Sequence, residues 1–112
     1  MKNDVSFVLY DELLLYEHQS TKNPNLPLRN LFYVSDVYSE LTKDLFLYGS
    51  VPVQIPEPKF VVFYNGLENM QERDVYTLSS LYAKKAENTS LELETIVLNE
   101  YEVYNTILMD ST

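Results

Sequence analysis

Two acids and an amide, Asp4, Glu17 and Gln19, stand near the two ends of what reads as a single β-hairpin. Carboxylates that converge beside an amide are a donor set able to hold a divalent cation against a phosphate. The two segments, Asp4-Val-Ser-Phe-Val-Leu-Tyr10 and Leu13-Leu-Leu-Tyr-Glu-His-Gln-Ser20, are rich in strand-forming residues, with Asp11-Glu12 as a polar turn between them. A two-residue turn there pairs Tyr10 with Leu13, Ser6 with Glu17 and Asp4 with Gln19. Side chains alternate along a strand, so one face carries Asp4, Ser6, Val8 and Tyr10 against Leu13, Leu15, Glu17 and Gln19. A four-residue loop keeps this parity, whereas a three-residue loop or a bulge breaks it. The turn lacks an Asn-Gly or Asp-Gly pair, so its own chemistry does not pin the register.

The opposite face carries Val5, Phe7 and Leu9 against Leu14, Tyr16 and His18. Both faces are substantially apolar, which places the hairpin inside an α/β or α+β layer. Carboxylates at the end of such a sheet are costly unless hydrated, paired or metal-bound. The plain alternative makes Asp4 a polar residue near the chain's start and Glu17 a strand-end residue facing water. In a chain with 17 acids that arrangement is the commoner one for any two of them.

The elements that must position these residues follow in order. Thr21 to Asn25 is turn chemistry, with Asn25 as the N-cap and Pro27 in the first turn of a helix. Leu28, Leu31, Phe32, Val34, Tyr38, Leu41 and Leu45 recur at helical spacing, which predicts about five amphipathic turns ended by Gly49-Ser50. Val51 to Pro58, with three prolines, reads as an extended connector. Lys59-Phe-Val-Val-Phe-Tyr64 is a nearly unbroken apolar run, as in a central strand, closed by an Asn65-Gly66 turn. Residues 67–73 read as a polar loop. Asp74 to Ala83, apolar at 75, 78, 81 and 82, reads as a short helix. Leu91 to Leu98 reads as another strand, while Tyr101 to Thr112 is weakly amphipathic. The expected order is β-β-α-β-(α)-β in one domain spanning residues 1–112.

Composition narrows the class. The chain has 112 residues, 46% of them hydrophobic, with two glycines and no cysteine, so it reads as folded, without disulfides or zinc fingers. No apolar run approaches the ~20 residues that span a bilayer, and a cytoplasmic location without membrane contact is expected. The eight cations against 17 acids give a net charge of −9, with no cationic run longer than two. Phosphate backbones are bound mainly through Lys and Arg, so DNA as a partner is disfavoured by bulk charge.

Asn3-Asp-Val-Ser-Phe7, Glu17-His-Gln-Ser-Thr21, Asn25-Leu-Pro-Leu-Arg29 and Phe63-Tyr-Asn-Gly66 together resemble the Rpn family, the recombination-promoting nucleases and transposases of the PD-(D/E)XK superfamily. The likeness covers roughly residues 3–100. It implies a restriction-endonuclease-like core, a mixed central sheet with flanking helices, and a Mg2+-dependent phosphodiester hydrolase site for DNA. It places the acidic motif residue at Asp4, the Glu-x-Lys glutamate at Glu17 and the lysine position at Gln19. Asp4 and Glu17 would bind the metal, and the Gln19 amide would orient a water. The superfamily fold opens with a helix before the first motif strand, and only three residues precede Asp4 here. A truncated or degenerate copy is therefore expected. Its uncovered apolar sheet would favour a homo-oligomer.

Other residues read more plainly. His18 points away from Asp4 and Glu17 and is a packing or hydrogen-bonding residue. Ser20 has no base beside it and is no nucleophile. The ten tyrosines read as core edges and an oligomer interface rather than a base-stacking platform. Glu92 and Glu94 read as a solvated strand edge that discourages aggregation. Two further functional readings stay open: a catalytically inert remnant acting as an oligomerising interaction module, and a small acidic mimic of DNA.

Overall fold

A computed structural model describes residues 5–9, 12–67, 71–84 and 87–100. Five strands, one α-helix and one 3-10 turn are described: β1 (Val5–Leu9), β2 (Glu12–Gln19), α1 (Leu26–Thr42), β3 (Glu57–Tyr64), β4 (Arg73–Thr77), the 3-10 turn Leu78–Leu81, and β5 (Glu94–Asn99). They form one mixed sheet in the order β1-β2-β3-β5-β4. The hairpin β1/β2 is antiparallel, β2 runs parallel to β3, β3 parallel to β5, and β4 lies antiparallel on β5. The α+β expectation holds at this level.

The hairpin register differs from the expected one. Val5 pairs with Tyr16, Ser6 with Leu15 and Leu9 with Glu12, so Ser6 faces Leu15 and not Glu17. Glu12 belongs to β2 instead of the turn, a shift that a turn without a pinning sequence permits. The offset is two residues, so the parity survives. Leu13, Leu15 and Glu17 are buried in alternation, while Leu14 and Tyr16 are half-buried and His18 is exposed.

Helix α1 covers that buried face. Leu13, Leu15, Phe60 and Val34 form one cluster with Leu78 and Leu93, while Leu26 joins Val62, Tyr64 and Val97 in a second. Asn25 occupies the N-cap position and Pro27 the first turn, as expected. The Asn25 side chain makes no cap bond, however; its backbone N–H donates to Asn23 Oδ1 at 3.0 Å. The helix is shorter than its periodicity suggested, ending at Thr42, where Thr42 Oγ1 donates back to the Tyr38 carbonyl at 2.7 Å. Phe32, Leu41 and Leu45, expected inside, are exposed, and Leu28 is marginally so. The inward stripe is Leu26, Pro27, Asn30 and Val34.

Asn30 is therefore a polar residue in the core, donating from Nδ2 to Thr95 Oγ1 at 2.7 Å with both side chains buried. This bond ties the second turn of α1 to β5. Thr95→Val is expected to destabilise the fold by about 2 kcal/mol, because it strands the Asn30 amide without an acceptor. Adding Asn30→Leu should recover part of that loss. A double-mutant cycle by urea unfolding checks it, and additive effects would disprove the coupling.

Two expectations along the second half are corrected. The segment 74–83 is not a helix: Arg73–Thr77 is an edge strand, followed by a single 3-10 turn. The apolar positions at helical spacing straddle these two elements, and Val75, Tyr76 and Thr77 carry the strand propensity. Nor do Glu92 and Glu94 decorate a sheet edge, because β5 lies between β3 and β4. Glu92 precedes β5, and its Oε1 accepts the backbone N–H groups of Ser79 at 2.9 Å and Leu93 at 3.0 Å. The Ser79 hydroxyl foremost, then these N–H groups, hold the Glu92 carboxyl below the usual range. A depressed carboxylate contributes stability above its unfolded value and loses it as pH falls through the folded one. The wild type should therefore lose stability more steeply than Glu92→Gln below pH about 4.5, seen as converging denaturation midpoints. Parallel midpoints would show that this carboxylate does not clamp the turn.

Candidate functional site

Parallel strands β2, β3 and β5 end together at one edge of the sheet. Register places Gln19 beside Tyr64 and Tyr64 beside Asn99, all three on the face that α1 covers, with Glu17 one step inward beside Val62 and then Val97. In open sheets with parallel strands, ligands bind beyond these carboxyl ends. The N-terminus of α1 lies at the same end, since Leu26 packs with Val62, Tyr64 and Val97. Its partial positive charge is thus directed to the end of the sheet that holds Glu17 and Gln19.

The strand ends are locked together. The Asn65 backbone N–H donates to the Gln19 carbonyl at 3.0 Å, fixing the turn after β3 against the end of β2. Gly66 then passes so close to the Ser20 carbonyl oxygen and the Tyr64 hydroxyl that a Cβ would overlap both. Tyr64 is almost fully buried, with Lys22 Nζ 5.9 Å from its ring centre. Lys22 was not singled out as a site residue in the sequence. Its signal there is weak, a lone cation three residues past the Glu-x-Gln block.

Of the site residues expected from sequence, Glu17 and Gln19 share one face at the end of β2, whereas Asp4 lies outside the described residues. Glu17 does not face water. It is only 3% exposed and its Oε1 is sealed from solvent. The donor types suit a hard cation, a carboxylate from Glu17 and an amide oxygen from Gln19. Among the described residues no group of three or more His, Asp or Glu side chains is placed to hold a metal ion. His18 lies on the opposite face, as its parity required. Its ring sits 5.4 Å from that of Phe63, and its Nδ1 is 3.3 Å from Glu100 Oε2.

No family model, no curated protein and no solved structure matches this chain. Among the described residues no helix is long and apolar enough to cross a membrane.

Proposed function

We propose that the chain is a nuclease-like domain of the PD-(D/E)XK type, related to the recombination-promoting Rpn nucleases, acting on the phosphodiester backbone of DNA. The observation that carries the reading is a carboxylate and an amide, Glu17 and Gln19, two residues apart on one strand face where three parallel strands end. Glu17 stands in the inward row of β2 with Leu13 and Leu15 and pairs in register with Val62, so its carboxylate is held at a fixed place on the sheet.

Asp4 and Glu17 would hold Mg2+, and Gln19 would orient the attacking water through its amide. Mg2+, when bound, lowers the pKa of a coordinated water and offsets charge developing on the phosphoryl group. The chain's own residues supply the rest. Lys22 and the N-terminus of α1 bring positive charge to the strand ends, which a chain of net charge −9 needs in order to accept a phosphate there. Incubation of supercoiled plasmid with the protein and Mg2+ or Mn2+ tests the reading. Nicking that chelation abolishes is expected, and intact plasmid with either metal would overturn it.

A second reading, a catalytically inert oligomerising module, is favoured by a different observation. The connector between α1 and β3 leaves a run of large apolar side chains in solvent. Intact plasmid together with stable self-association would favour this reading over the first.

A further inference from the structure

The twelve residues Leu45–Pro56 form the longest stretch of the chain without a charged side chain, in a protein where 22% of residues are charged. They leave the end of α1 and lead into β3, tethered by the Tyr38 hydroxyl, which donates to the Pro56 carbonyl at 2.7 Å. Instead of folding onto the core, their large side chains face solvent. Tyr48 is 91% exposed, Val51 79% and Phe46 73%, while Leu45, Leu47 and Ile55 are each about half exposed. The Phe46 and Tyr48 rings lie 6.0 Å apart, so the patch has an aromatic centre instead of scattered apolar residues.

We propose that this strap is a self-association surface whose occupant is the same strap of a second copy. Area is the first argument. At 150–250 Å2 for a large aromatic side chain, the six residues offer roughly 800 Å2, about what each partner contributes to a stable interface. Charge is the second. Two copies of a chain at −9 repel over most of their surface. The strap itself is uncharged, and its borders carry Asp44 beside Lys43 paired with Glu40 at 2.6 Å and Lys59 paired with Glu57 at 2.9 Å, a small part of the chain's net charge. It is thus the approach with the smallest electrostatic penalty, and a two-fold contact sets the same apolar patch against itself. Chain direction is the third. The strap sits where β3 begins, and Glu17 and Gln19 sit where β2 and β3 end, so pairing through it leaves the candidate site open.

This surface deepens the second functional reading by naming its partner, and its test does not depend on cleavage. Sedimentation velocity from micromolar to near-millimolar protein should show a monomer–dimer equilibrium. Phe46→Asp with Tyr48→Asp should weaken it by about 100-fold or more, with an unchanged circular dichroism spectrum. The absence of cysteine allows a second check that does not perturb the patch's charge. Mild oxidation of Tyr48→Cys should give a crosslinked dimer, while Asp36→Cys, exposed on α1, should not. A monomer at every concentration would overturn the proposal, and so would a dimer that ignores the double substitution or crosslinks equally through Asp36→Cys. Association of the strap with another protein alone would appear as the first of these.

Discussion

Gly66→Ala is expected to destabilise the fold by about 3 kcal/mol, a shift of about 2 M in the urea midpoint for a domain of this size. A Cβ at this position overlaps the Ser20 carbonyl oxygen and the Tyr64 hydroxyl and comes within 2.6 Å of Tyr64 Cζ. The ring is buried and the carbonyl is backbone, so neither yields by a simple side-chain rotation. Relief must come from moving the Asn65–Gly66 turn, which stretches the Asn65 bond to the Gln19 carbonyl. Two controls isolate the cause. Gly49→Ala should cost less than 1 kcal/mol (an order-of-magnitude bound), because its nearest neighbour is the exposed Phe46 ring at 3.1 Å. Tyr64→Phe should not rescue Gly66→Ala, since the backbone overlap at Ser20 remains. Full rescue would show that the hydroxyl alone sets the limit, and a neutral Gly66→Ala would remove the argument that this turn fixes the end of β2.

The parts of the fold legible in the sequence are those where local pattern and burial agree. Alternation in β2 identified the face shared by Leu13, Leu15, Glu17 and Gln19, and parity protected it even though the register slid by two. The apolar run of β3 and the Pro27 helix start were equally plain. What failed has a common physical cause: information that lies outside the local window. Val75, Leu78 and Leu81 mimic one helical stripe while belonging to a strand and a separate turn, and only pairing with β5 decides between them. Nothing in the local window marks Asn30 as a core residue, because its partner Thr95 lies 65 positions away. Glu92 reads as a strand decoration until Ser79 and Leu93 turn their N–H groups to it. Of the three residues expected at the site, Glu17 and Gln19 share one face as alternation requires, while Asp4 lies outside the described residues. The burial of Glu17 was not legible, because it depends on where α1 lies across the sheet.

Burial makes Glu17→Gln the substitution that separates chemistry from folding. Glutamine keeps the shape and length of the side chain and removes the carboxylate that could ligate a cation. If Glu17 serves the site, plasmid nicking should fall by at least about 100-fold, the loss expected when a metal-binding carboxylate becomes a neutral amide. The urea midpoint should meanwhile stay level, because the isosteric amide preserves the packing of this inward-facing position. Gln19→Ala, at the half-buried end of the same strand, should reduce nicking less, since an amide that orients a water is replaceable by solvent in part. The opposite pattern is equally definite: nicking retained by Glu17→Gln together with an unfolding free energy lowered by more than about 1 kcal/mol would make this carboxylate a structural partner within the sheet. The proximity of Glu17 and Gln19 would then be a consequence of strand alternation alone, and the strand ends would hold no hydrolytic centre.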